Sequence, residues 1–263
     1  MREISVDGWL DALGERKLLP DETLAAFVVG SAARGWHNSR SDHDIYVVTS
    51  SPRVSDTSEW LPVPLDPPTV ATETFYTQSR RWEVKYWLDS QIDQMLAKVS
   101  WDVYEQGNTT ARLALTFIEE LTLSRLNTCL PLQGEEWVLQ ARRRLAESAF
   151  RSFVVVRSLS EVDNAVEDAL GQMEAGDLES ATISARLAFG YAIDALLEGE
   201  GEYGSHLPKW RPNRFKAAAP AALSFERYWE LETMRTYDPA DPRPWITDIL
   251  TLCQDIALRV EVS

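Results

Sequence analysis

Asp42 and Asp44 stand two residues apart at the head of a β-rich run, DIYVVTS, so both carboxylates project from one face of a strand. Anions held that close repel each other and are costly to confine unless a cation sits between them. Magnesium, which takes carboxylate and phosphate oxygens, suits such a pair. Gly30-Ser31 ends the preceding apolar run, LAAFVV, and ten residues, Ala32–Ser41, separate it from Asp42. Gly30 lets the backbone approach a ligand closely, and Ser31 offers a hydroxyl and an N–H to a phosphate oxygen. Arg34, in the same loop, is a further phosphate candidate. Glu83 lies in RRWEVKYWLD, where alternation puts Glu83, Lys85 and Trp87 on one face and Trp82, Val84 and Tyr86 on the other. If that strand lies beside the first, Asp42, Asp44 and Glu83 make a two-metal site for phosphoryl or nucleotidyl transfer. The competing reading of Glu83 is a surface pair with Lys85. Trp87, on the Glu83 face, is a candidate to stack on an acceptor or a base.

These side chains need elements to hold them. Residues 6–19 read as a helix, LAAFVV and DIYVVTS as two strands, and the Pro-rich stretch after Ser51 as a loop with an edge strand. ATETFYTQ and RRWEVKYWLD read as two more strands. A helix follows, with Asp89 or Ser90 as its N-cap. From about residue 105 the period becomes helical, through NTTARLALTFIEELTLSRLNTCL and then one or two long helices up to Gly176. DLESATISARLAFGYAIDALLEGEG gives another helix capped by Asp177. The chain thus reads as an α+β domain over 1–104 followed by an all-helical domain over 105–263.

Composition excludes several classes. The chain has 263 residues and a net charge of −15, which argues against duplex nucleic acid and suits a cationic small molecule. No apolar run is long enough for a membrane span, and MREISVDGWLDALGERKLL has no apolar leader core, so a cytoplasmic protein without a membrane partner is expected. Cys129 and Cys253 are expected to be buried and free. Three scattered histidines show no zinc spacing, and His43 falls on the strand face away from both aspartates. P-loop, dinucleotide-binding and serine-hydrolase motifs are absent.

The pattern Gly30-Ser31, ten residues, Asp42-His43-Asp44, then Glu83 on a later strand resembles the signature of the DNA polymerase β-type nucleotidyltransferase superfamily. A catalytic part of this size followed by helices is similar in layout to the streptomycin/spectinomycin adenylyltransferases. The resemblance implies a mixed sheet with flanking helices and then a helical bundle. It implies transfer of AMP from ATP, with two magnesium ions, to a hydroxyl of an aminoglycoside-like antibiotic. Asp42, Asp44 and Glu83 would be catalytic residues and metal ligands, with Glu83 also the general base. Gly30, Ser31, Lys209 in HLPKW and Tyr237 in MRTYDP would face the nucleotide. Asp177 and Glu179 would face the amine-rich acceptor. The longer stretch between Asp177 and Lys209 departs from that family and touches the choice of acceptor. The alternative target is a protein or tRNA, adenylylated in a toxin/antitoxin-type system; the acidity counts against tRNA.

Overall fold

The computed structural model describes residues 6–77, 80–107 and 115–260. The chain divides into two compact units. The first takes the residues up to Ser100 and returns for Leu115–Ser148; the second takes the Trp101 segment and everything from Ala149.

The first unit is built on a six-stranded mixed sheet in the order β3-β4-β5-β2-β1-β6. Its strands are β1 (Thr23–Val29), β2 (His43–Thr49), β3 (Glu59–Pro62), β4 (Thr69–Thr77), β5 (Arg80–Leu88) and β6 (Leu130–Gln133). All neighbours are antiparallel except β2 and β5, which run parallel in the middle. Helix α1 (Val6–Gly14) precedes the sheet and the short turn α2 (Gly30–Ala33) follows β1. Helices α3 (Asp89–Lys98), α5 (Phe117–Thr128) and α6 (Glu135–Glu147) complete the unit. The first helix is shorter than the periodicity suggests, ending at Gly14. The N-cap of α3 is Leu88, whose N–H donates to the Gln91 side chain at 3.1 Å, while Asp89 accepts from the Trp137 indole at 2.9 Å.

Residues 115–148, read from sequence as part of the helical half, group with the sheet instead. The cause is β6, which pairs with β1 through Ala26–Gln133, Phe27–Pro131 and Val28–Leu130. That closes the open edge of a strand buried from Ala25 to Val29, and α5 and α6 come with it.

Alternation decides which face each side chain takes. On one face His43, Ile45, Val47, Trp82, Val84 and Tyr86 pack against Trp9 and Leu13 of α1 and against Leu18. Ile45, Val47 and Val84 have no exposed surface, and each such side chain contributes roughly 1.5–3 kcal/mol by burial. On the other face the aromatic rings of Phe27, Tyr46, Trp87 and Trp137 adjoin, Phe27 stacking on Trp137 of α6.

The second unit holds α4 (Trp101–Glu105), α7 (Phe150–Ala175), α8 (Leu178–Gly199), α9 (Arg211–Ala218), α10 (Phe225–Glu232) and α11 (Arg243–Ala257). Helices α7 and α8 form a hairpin turned by Gly176, which takes a left-handed φ of 80°. Asp177 then caps α8, accepting from the Ser180 N–H at 3.0 Å. Ala181, Ala185, Ala188 and Ala192 form a small-residue stripe along α8, all wholly buried in the core shared by α7, α8 and α11. Asp194 of α8 is itself 1% exposed and accepts two hydrogen bonds from Arg211, at 3.1 and 2.7 Å, and one from Arg214, at 2.7 Å. These contacts pin α9 to α8. Cys129 and Cys253 are free and buried, in the first and second unit respectively, and burial pushes their thiols up, to about 11 and about 12. Among the described residues no helix is long and apolar enough to cross a membrane.

His43 is buried edge-on against Trp9 and Trp82, and neither ring nitrogen has a hydrogen-bond partner. Burial, with Arg80 next, lowers its pKa from 6.5 to about 4. The neutral ring is therefore the folded form, and its contribution is complete above about pH 6.5 and lost as pH falls toward 4. His43→Phe should abolish roughly 2–3 kcal/mol of the acid destabilisation between pH 7 and 4.5, read as the difference between the two proteins in urea denaturation. Asp194→Leu should cost about 3–5 kcal/mol in the same measurement at pH 7, because it strands two buried guanidinium groups.

Candidate active site

Parallel pairing of β2 and β5 sets Asp44 opposite Glu83 and Tyr46 opposite Lys85. Asp42 precedes β2 by one residue and shares the face of Asp44. The three carboxylates expected from sequence to meet therefore do occupy one end of one face. Asp42 and Glu83 converge on Arg81, whose fork donates to Asp42 at 3.4 Å and to Glu83 at 2.8 Å. The other oxygen of Glu83 accepts from the Lys85 ammonium. Asp44 accepts from Arg125 of α5 at 3.2 Å, and the other end of that guanidinium donates to the Tyr46 hydroxyl at 3.1 Å.

The Gly-Ser turn adjoins this cluster. Gly30 has φ +68°, and a Cβ there would lie 3.0 Å from the Asp44 carboxylate and 3.6 Å from Arg125. A side chain would fill that space, so glycine keeps the approach to Asp44 open. The turn is held by Trp36 N–H donating to the Ser31 carbonyl at 2.9 Å. The Arg34 guanidinium lies 4.0 Å from the centre of the Trp36 ring, so part of its face is used for stacking.

Three anions thus meet three cations. Lys85 is mostly buried, and desolvation, with Arg125 second and Asp44 opposing, lowers its pKa from 10.5 to about 8. Burial works against the charge of Arg125 too, but Tyr46 and Asp44 outweigh it and its pKa is raised. The donor set is all hard oxygen, suited to a divalent magnesium ion, and the Gly30 opening leaves Asp44 reachable. Among the described residues, however, no three acids, histidines or cysteines close on one point. The place where Asp42 and Glu83 meet is taken by Arg81.

No family of known proteins has a model that matches this chain, and no curated protein matches it. Among solved structures it is similar to the crystal structure of a nucleotidyltransferase-like protein from Exiguobacterium sibiricum 255-15. The likeness covers 96% of this chain and 74% of that one, at 12% identity and a TM-score of 0.49. It is a loose likeness.

The other expected residues lie elsewhere. Trp87 has no exposed surface and sits edge-on to Tyr46. It belongs to the packed aromatic face and is not open to stack on an acceptor, which corrects the reading from alternation alone. Lys209 is exposed in a short 3-10 turn and lies over the Trp210 ring. Its basic neighbours Arg211 and Arg214 are spent on Asp194, so the local cluster of positive charge is smaller than the sequence suggests. Tyr237 is half-buried against Trp245. Asp177 and Glu179 are exposed at the start of α8; Arg211, two residues from Lys209, binds near its other end, so roughly 25 Å of helix separates the two regions. Asp177 and Lys209 are not brought together. Arg81 and Arg125 were not among the expected site residues. Arg125 is 81 residues from Asp44 in sequence, and no spacing rule links them.

Gly30→Ala tests this arrangement. The added methyl group meets the Asp44 carboxylate and a left-handed backbone, so the variant should lose about 1–2 kcal/mol in denaturant unfolding.

Proposed function

We propose that the chain is a nucleotidyltransferase that moves AMP from ATP onto a hydroxyl of a small, cationic acceptor of the aminoglycoside type. The observation that carries the reaction class is the register of β2 on β5: it sets Glu83 beside Asp44, with Asp42 on the same face and the Gly30 turn against Asp44. Acids on neighbouring strands, next to a turn able to receive phosphate, are what phosphoryl-group displacement at a metal requires.

In this reading Asp42 and Asp44 hold magnesium, with Glu83 completing the set. Magnesium, when bound, would stabilise charge on the phosphate oxygens and on the leaving pyrophosphate. Ser31 donates its hydroxyl and backbone N–H to the triphosphate, and Arg34 stands in the same loop. Glu83 takes the proton from the acceptor hydroxyl, its carboxylate oriented by Lys85. Arg125 fixes the rotamer of Asp44 by binding it and Tyr46 together. The cationic acceptor rests on the net charge of −15.

The test is transfer of radiolabel from α-labelled ATP with magnesium to separate panels of aminoglycosides, tRNA and lysate protein. Label should appear on an aminoglycoside, and Asp44→Asn should reduce the rate by at least about 100-fold. Label on protein or RNA alone would overturn the small-molecule reading, and no label on any acceptor would overturn the reaction class.

A further inference from the structure

Charge is balanced at the candidate site before any metal arrives, and this restricts how a metal can enter. Asp42, Asp44 and Glu83 are matched by Arg81, Lys85 and Arg125. A divalent ion entering that neutral set would find its ligands already engaged by nitrogen donors. One cation has to leave, and the three are not equally held. The side chains of Lys85 and Arg125 are only 13% and 17% exposed, and Arg125 is also tied to Tyr46. Glu83 holds Arg81 at 2.8 Å, but the Arg81 side chain is 40% exposed and its contact with the Asp42 side chain, 46% exposed, is 3.4 Å long. Such exposed ion pairs add little net stability and are readily exchanged for water.

From this we infer that Arg81 is an exchangeable counter-ion: it occupies the meeting point of Asp42 and Glu83 in the metal-free protein and is displaced when a divalent cation binds there. The inference rests on the reading of these acids as metal ligands and adds to it a competition within the chain. The guanidinium fork matches two carboxylates at once, so it keeps the anions from repelling each other while no metal is bound. It also sets a threshold, since the metal must outcompete an intramolecular partner. Metal alone then binds weakly, and metal carried by a triphosphate, with phosphate oxygens supplying further ligands, binds better.

The experiment is manganese binding to the free protein, followed by loss of the aqueous Mn(II) electron-paramagnetic-resonance signal. Arg81→Gln should bind manganese about two- to fivefold more tightly than wild type, as expected for removal of a weak surface ion pair. Arg81→Lys, which keeps the charge without the fork, should fall between them. Arg235→Gln, an exposed charge change in the second unit, should leave the affinity unchanged. Adding Asp42→Asn to Arg81→Gln should abolish the gain. Unchanged manganese affinity in both Arg81 variants, with native circular dichroism, would overturn the exchange. A gain equal to that of Arg235→Gln would overturn it as well. The readout is separate from catalysis: tighter binding without nucleotide transfer supports the exchange while removing the transferase reading, and transfer by the wild type with unaltered affinity in Arg81→Gln does the reverse.

Discussion

The parallel register of β2 on β5 is the constraint on which the rest of the site depends. Because side chains alternate along a strand, a slip of one residue would carry Glu83 to the face of His43 and bring Trp82 to the side of the acids. The register is fixed from the opposite face, where Ile45, Val47, Trp82, Val84 and Tyr86 interlock beneath α1. The polar constellation is thus specified by apolar packing on the reverse of the same two strands. The Tyr86 hydroxyl strengthens the arrangement by donating to the Leu18 carbonyl at 3.0 Å, which ties the chain after α1 to β5.

Both units place ion pairs where water is scarce, but with different consequences. In the second unit Asp194 serves two arginines inside a packed core, and a charge there joins helices. In the first unit the charges gather at one end of a sheet face and grade from buried to exposed, from Arg125 and Lys85 outward to Arg81 and Asp42. A graded cluster can change partners, whereas a buried one cannot without large cost. That difference separates a site from a structural tie made of the same residue types.

Much of the first unit was legible in the sequence because its strands are long and alternate strongly. DIYVVTS and RRWEVKYWLD announce both their faces, and the paired aspartates announce the acid end. Strand β6 was not legible: Leu130–Gln133 is four residues long and contains Pro131, a residue that ordinarily marks a loop or an edge strand. With β6 unseen, α5 and α6 read as part of a helical half, and Arg125 could not be placed beside Asp44. Trp87 failed for a related reason. Alternation gives the face of a side chain but not how much of that face is covered, and Tyr46 with its aromatic neighbours covers it. The basic appearance of residues 209–216 misled because sequence does not reveal a buried acid such as Asp194 waiting for two of them.

The first unit is discontinuous in sequence, since the chain leaves it after Ser100 and returns at Leu115. During synthesis the acids and five of the six strands leave the ribosome well before Arg125 and β6. Until residues 130–133 emerge, β1 presents a bare row of backbone donors and acceptors beside an Asp44 whose arginine has only just appeared. A fragment cut at residue 104 would therefore lack both the strand that pairs with β1 and the arginine that binds Asp44.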